Sequence, residues 1–442
     1  MKSTVKITVI VCVFVTFIGT YVVPEGIKYK ELRAVDPANP PVVIDVGNRN
    51  LNIKKFDLSD YYTQVRYIKL KYPSSAKEGN FLFDIYYKGC GMIVYGANSE
   101  FFFTNDYIVA GDASFGIHCY DRDGNFLYTI ESNDYPKSYN PLDNQLTDNC
   151  DEQKGYTGGF SAIQNRCLYH LKEDNTEKIC LYDLAQQKRI MTRPYNGKSF
   201  NRLLDDNTMA SYVYWPTDTA RNFLFTFDMK GDTLCRFPSY LPIPDTKSGY
   251  GLSPPMRDLY YYGNRLTIRQ SLNDTVFRVV SPNRLIPVYV LNFGTYRVNI
   301  QTVLIEEQRD KLRTDFWKES ERYILLAYKQ NYAVEDEITQ GKIKFFYAFY
   351  DKKSRQLFHF NEGVNAAPRE FFIDSSIPDA LPFILWHADI GEKQLSVVFS
   401  KKRLENMMKK KGFANLPAEQ RDKLKTLQNE LADNEVLIMV LQ

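Results

Sequence analysis

The chain has 442 residues, with 56 Lys and Arg against 53 Asp and Glu, 44% hydrophobic and 14% aromatic residues. These proportions suit one large or two ordinary folded domains and exclude a disordered or low-complexity scaffold. A net charge of +3 over that length lacks the basic stripe of a nucleic-acid binder, so nucleic acid is not an expected partner.

The first element is an address. Met1 to Lys6 carries two lysines and no acid, and residues 7–23 hold no charge before Glu25, the pattern of the positive and apolar regions of an export signal. As a helix those uncharged residues would span roughly 26 Å, just short of a ~30 Å hydrocarbon core. Residues 1–23 therefore fit a signal peptide or an N-terminal membrane anchor, and Gly19-Thr20 makes a poor cleavage site. The expected location is outside the cytoplasm, in the periplasm or cell envelope, with residues 7–23 as the membrane contact. Cys12 lies mid-stretch and reads as apolar filler. Cys90, Cys119, Cys150, Cys167, Cys180 and Cys235 are open to disulfides or to buried free thiols in strands, and none form C-x-x-C.

Residues 24–41, with Pro37 and Pro40-Pro41, read as a linker, and 42–442 as the main domain. Val65–Leu70, Tyr107–Ala110 and Phe223–Phe227 alternate at period two between turn residues, as strands do. One unit recurs: an aromatic residue and Asp, a short turn, then an apolar strand. It occurs at Tyr120-Asp121, Tyr182-Asp183, Phe227-Asp228 and Tyr350-Asp351. The Asp side chain can hold a tight turn, and Gly or a small polar residue can supply positive φ before the partner strand. Each unit is thus expected to be the outer hairpin of a sheet. Asp183 and Asp228 stand 45 positions apart, the length of a four-stranded propeller blade. Asp274–Val279 and Pro287–Gly294 mark a further strand pair. Leu304, Ile305, Gln308 and Leu312 share one helical face, which predicts a short helix over 302–313. Leu404, Met407 and Met408, then Pro417, Glu419, Leu424, Leu427 and Leu431, predict helices within 401–432. Val436–Leu441 closes the chain as an apolar strand, placed to complete one blade of a ring.

Leu58-Ser59-Asp60 before Val65–Leu70, Asn105–Val109 with Tyr120–Gly124, Asp274–Val279 with Phe293-Gly294, and the terminal Asp433–Leu437 together resemble the exported six-bladed β-propeller proteins of Bacteroidetes. The resemblance runs from about Val43 to the C terminus. It implies an all-β, six-bladed β-propeller, akin in shape to NHL-repeat and TolB-like rings, with no activity or cofactor to carry over. Two departures stand out. Ser132–Pro136 replaces a Gly-Pro-Gly-Glu-Tyr turn found in many members, and the lipoprotein cysteine of many members is missing, so anchoring by helix would substitute.

Candidate sites are few. Asp121-x-Asp123-Gly124-Asn125 lacks the remaining ligands of a calcium loop and reads as a hairpin turn, and no metal site is expected. Gly111–Gly116 departs from a nucleophile elbow at Asp112. His118, His170, His359 and His387 fall within aromatic stretches and read mostly as satisfied histidines. Tyr214 and Trp215, and Trp386 with His387, are the candidate ligand-binding residues, because flat aromatic faces with polar tips stack on sugars and peptides; packing between blades is the competing role. The Asp-Thr-apolar tripeptides at Asp218, Asp232 and Asp274 look like O-glycan acceptors. The expected function is a non-catalytic binding propeller for a glycan, a peptide or an envelope partner. The alternative is a propeller lyase, lactonase or glycosidase whose carboxylates converge at the axis from different blades.

Overall fold

The computed structural model describes residues 40–48, 50–71, 100–112, 116–132, 155–173, 176–195, 199–213, 222–238, 259–269, 273–297, 309–330, 343–364, 371–373, 377–432 and 434–442. The strands form six small sheets in a ring, a six-bladed β-propeller. Ahead of the first blade come β1 (Val42–Asp45) and β2 (Val65–Lys71). Blade 1 is β3 (Glu100–Phe103), β4 (Tyr107–Asp112), β5 (Gly116–Asp121) and β6 (Phe126–Glu131). Blade 2 is β7 (Gly155–Ile163), β8 (Arg166–Glu173), β9 (Thr176–Asp183) and β10 (Lys188–Pro194). Blade 3 is β11 (Ser199–Leu203), β12 (Thr208–Val213), β13 (Asn222–Asp228) and β14 (Thr233–Pro238). Blade 4 is β15 (Leu259–Tyr262), β16 (Arg265–Arg269), β17 (Thr275–Ser281) and β18 (Arg284–Asn292). Blade 5 is β19 (Leu312–Glu319), β20 (Tyr323–Gln330), β21 (Lys344–Asp351) and β22 (Gln356–His359). A small ladder of β23 (Phe372–Ile373) and β24 (Phe383–Ile384) precedes blade 6, which is β25 (Ala388–Ile390), β26 (Leu395–Ser400) and β27 (Glu435–Leu441) with β2 as its outer strand. Antiparallel order puts the first and third turns of every blade on one face, the turn face, and the middle loops and blade crossovers on the other, the loop face.

The recurrent Asp units are the outer hairpins of blades 1, 2, 3 and 5, and the Asp does the same work in each. Asp121 Oδ1 accepts from the amides of Asp123 and Asn125, Asp228 Oδ1 from Gly231 and Asp232, Asp183 Oδ1 from Gln186, and Asp351 Oδ1 from Ser354. Gly124 and Gly231 supply φ of +92° and +101°. In blades 2 and 5 the positive φ falls instead on Gln187 and Arg355, so the side-chain clasp of the Asp holds the turn without glycine. The Asp121 carboxylate is used up by this turn, as expected for a hairpin rather than a calcium loop.

Six apolar clusters occupy the six seams between neighbouring blades. The aromatics fill them: Tyr120, Tyr169, Tyr323, Tyr328, Tyr347, Phe223, Phe349, Phe383 and Phe399 are essentially without exposed surface. Burying one such ring contributes about 1.5–3 kcal/mol, and two facing sheets about 10 Å apart need large side chains to close the gap. Cys119, Cys167 and Cys180 lie in the seam of blades 1 and 2 as free thiols, and Cys235 is free as well. Burial pushes the Cys119 thiol up to about 11, so it is a small apolar side chain here. Cys90 and Cys150 lie outside the described residues.

The N-terminal segment straps blades 4, 5 and 6 from outside. β1 adds in parallel to β18, and the Gly47 amide donates to Asn292 O at 2.8 Å. A Cβ at Gly47 would stand 2.5 Å from Phe293 O, so the close approach requires glycine. The segment then pairs with blade 5, His359 N to Asn52 O at 2.8 Å and Lys54 N to His359 O at 2.9 Å. Phe56 sits among Tyr61, Tyr323, Phe349 and Phe360, and β2 pairs with β27 from Val65↔Leu441 to Lys71↔Glu435. The terminal strand closes the ring as its sequence predicts.

The helices expected within 401–432 form as α1 (Lys401–Met408) and α2 (Ala418–Glu430), inserted between β26 and β27 on the loop face. Ser400 Oγ caps α1 by accepting from Arg403 N, and Leu404, Met407 and Leu424 are buried. Of the helix expected over 302–313, only the end is corrected: residues 312 and 313 open strand β19, while 302–308 lie outside the described residues. Leu312, Thr314 and Phe316 are buried, and β19 pairs with β20 along its length; without it blade 5 would lack its innermost strand. No helix among the described residues is long and apolar enough to cross a membrane, and residues 7–23 lie outside them.

Candidate functional site

The seam between blades 4 and 5 carries unusual polar chemistry at both ends of β19. At the turn face, Glu319 is wholly buried. Its Oε2 accepts from Tyr260 OH at 2.8 Å and Arg278 Nη2 at 2.7 Å, and its Oε1 from Tyr289 OH at 2.6 Å and Lys352 Nζ at 2.8 Å. Trp317 Nε1 donates to Tyr260 OH at 2.8 Å, and Arg278 Nε to Thr267 Oγ1 at 3.1 Å. The Arg278 and Lys352 cations lie 4.5 and 4.3 Å from the Tyr262 ring centre. Burial alone would raise the Glu319 carboxyl, but Lys352 and Arg278 outweigh it and hold it below the usual carboxylate range. Four donors fill the acceptor directions of a carboxylate. Glu319 is therefore fixed as an ion and has no lone pair left for a proton or a ligand.

At the loop face the same seam opens into a concavity lined by Arg269, Asp274, Phe293, Arg297, Arg313 and Thr314, together with Asn273 and Leu312. Local structure places each. Asn273 and Asp274 immediately precede β17, where Asn273 Oδ1 accepts from Thr275 N and Asp274 Oδ1 from Thr275 Oγ1. After β18 the chain turns at Gly294–Tyr296, and Arg297 then forms a bridge with Leu312 at the start of β19. Arg297 Nη2 meets Asp274 Oδ2 at 3.1 Å with 43% of the Arg297 side chain exposed. Thr314 is 5% exposed, and its Oγ1 is buried with no hydrogen-bond partner, which leaves a desolvation penalty of about 1–3 kcal/mol unmet. Three guanidiniums and one carboxylate line the concavity, and fork-shaped donors suit a planar oxyanion.

The residues singled out from sequence lie elsewhere. Tyr214 and Trp215 are outside the described residues. Trp386 and His387 belong to the helical turn Leu385–His387 just before β25, the crossover one blade further round the loop face, and His387 is half-buried. His387 is not among the described residues that line the concavity. His118 Nδ1 pairs with Thr129 Oγ1, His170 Nε2 with Asn201 Nδ2 and His359 Nε2 with Tyr328 OH. Burial, aided by Arg202, lowers His170 to about 3, and burial lowers His359 to about 4. His118, His170 and His359 are core histidines, and His170 and His359 are held neutral. Among the described residues no group of three or more His, Cys, Asp or Glu is arranged to hold a metal. Thr275 is buried with its hydroxyl on Asp274 and is no O-glycan acceptor in the folded chain, whereas Thr233 is exposed. Asp274 was visible in sequence as a turn-to-strand residue; the arginines, far apart along the chain, gave no shared signal.

The family described as "Domain of unknown function (DUF4933)" matches residues 24–410, and the chain belongs to it. No curated protein matches the sequence. Among solved structures, a protein of Bacteroides fragilis described as exported is 14% identical, with a TM-score of 0.51 over 90% of this chain and 98% of its own. A member of the duf4221 family from Bacteroides vulgatus is 9% identical, with a TM-score of 0.42 over 86% of this chain and 98% of its own. The first of these similarities supports the fold.

Proposed function

We propose that this DUF4933 protein is a non-catalytic binding ring outside the cytoplasm, receiving a glycan, peptide or envelope partner on its loop face. The observation that carries the reading is the concavity at the blade 4–5 seam, lined by Arg269, Arg313, the Arg297–Asp274 pair and a Thr314 hydroxyl without a partner. Its chemistry is recognition: guanidiniums stay charged and bind oxyanions, but do not exchange protons at neutral pH. The most deeply buried carboxylate of the seam, Glu319, is saturated and serves the packing of the two blades. The positive start and uncharged run of residues 1–23 support export, as does the likeness in fold to an exported Bacteroides fragilis protein. Residues 7–23 serve as the membrane contact. A glycan and peptide array, run beside turnover assays on sugars and lactones with and without divalent ions, tests the reading. Saturable binding without turnover is expected; turnover would replace it with the enzyme alternative. Carbonate treatment of membranes should leave the chain in the pellet, and a shortened soluble product would remove the anchor.

A further inference from the structure

We infer that the helical hairpin α1–α2 is a docking surface for an anionic lipid bilayer, an assignment that rests on residues 7–23 as the membrane contact and names the envelope partner of the loop face. From Lys401 to Ala432 the chain carries nine Lys and Arg against four Asp and Glu, a net of +5, whereas the whole chain carries +3. The rest of the protein is thus net −2, and the excess of positive charge sits on one insertion. Packing turns those charges outward. Leu404, Met407, Leu416, Leu424 and Leu431 are buried, and Phe413 and Leu427 pack against the same core, so the apolar side of the hairpin is spent on the ring. Lys401, Lys409, Lys411, Lys423 and Lys425 are exposed. Glu405 meets Lys402 and Lys409, Glu419 meets Lys423 and Asp422 meets Lys425, and the surplus of cations remains. The C-terminal end of α1 offers only about half a negative charge to Lys409, Lys410 and Lys411, so it does not account for that run. Seven of the nine cations are lysines, point charges on flexible stems rather than planar forks. Such a set suits a broad field of headgroups, where each added cation strengthens binding about fivefold. With no apolar side left over, the hairpin meets the headgroups without inserting. Residues 24–41, even fully extended, reach at most about 60 Å, which keeps the ring beside the membrane that holds residues 7–23.

Amine labelling of the full chain in lipid nanodiscs, read lysine by lysine by mass spectrometry, tests this. In phosphatidylglycerol discs Lys409, Lys411, Lys423 and Lys425 should label about tenfold more slowly than in phosphatidylcholine discs. The difference should vanish at about 1 M salt, where the screening length falls to ~3 Å. Lys188 and Lys230, exposed on the turn face, should label alike in both lipids. Lys409→Gln, Lys410→Gln and Lys411→Gln together should bring Lys423 and Lys425 in anionic discs to within about threefold of the neutral-lipid rate, with the melting temperature reporting that the ring is intact. Equal labelling in the two lipids, or slowing confined to Lys188 and Lys230, would overturn the inference and leave the binding ring to the array. Protection that the triple variant retains would overturn the assignment to this cluster. Stronger protection by an oligogalacturonate added to neutral discs would overturn it in favour of an acid glycan. If the chain leaves neutral discs, the anchor reading falls; flotation with anionic but not neutral vesicles then supports the surface, and flotation with neither overturns it.

Discussion

The two ends of the blade 4–5 seam use similar residue types to opposite ends. At the turn face one buried carboxylate is surrounded by two cations and two tyrosine hydroxyls, and every acceptor direction of Glu319 is filled. At the loop face Arg297 pairs with Asp274 in a concavity also lined by Arg269 and Arg313, and the Thr314 hydroxyl is left without a partner. Both ends sit on β19, Thr314 and Glu319 five residues apart, so roughly 17 Å of strand separates a closed network from an open one. Closure by internal partners marks a packing role; a buried polar atom left open marks a place that something else completes.

Four experiments break or sharpen that contrast. Glu319→Gln should cost about 3–5 kcal/mol of unfolding free energy in urea, because Lys352 and Arg278 keep buried charge without a counter-ion; an unchanged midpoint would mean the closed end is not holding the blades. Acid unfolding comes next. The folded pKa of Glu319 is depressed, so its stabilisation is present above the ordinary glutamate value of about 4.3 and is lost as pH falls through the lower folded value. Glu319→Gln should lack that part of the melting-temperature profile. His170 and His359, lowered to about 3 and 4, act at higher pH. Unfolded histidine takes a proton near 6.5 and the native ones do not, so stability should fall as the pH drops from about 6.5 toward those folded values. A profile flat from pH 7 to 5 would contradict their burial. Tyr289→Phe removes one of the four donors and should cost about 1.5–3 kcal/mol, read by the same denaturation; a loss near zero would show that the network tolerates a gap. Thr314→Val should have the smallest effect on stability, between zero and a gain of about 1 kcal/mol, because it removes an unmet hydroxyl. A clear destabilisation there would erase the contrast between the two ends.

Much of the fold was legible because its repeated device is local. An Asp clasping the amides two to four residues on shapes the outer hairpin whatever surrounds it, and the terminal run Val436–Leu441 had the length and apolarity of a closing strand. The predicted helix over 302–313 failed where it met β19: Leu312 and its neighbours fit a helical face, but the innermost edge of blade 5 needs a strand, and tertiary demand overrides a short periodic signal. The concavity was not legible. Arg269, Arg297 and Arg313 come from β16, a crossover and β19, and only the ring brings them together. Glu319 was equally silent, a single acid at a strand end whose partners Tyr260, Arg278, Tyr289 and Lys352 come from two blades.

The N-terminal strap sets an order of events. A chain made from its N terminus presents β1 and β2 first, while their partners β18 and β27 follow much later, with Val65 waiting for Leu441. Such long-range pairing is slow to form and leaves strand edges open meanwhile. The β2 part of the strap is satisfied only at the end: until β27 arrives, blade 6 has no strand for β2 to pair with. Pairing of β2 with β27 is the step that marks a finished ring.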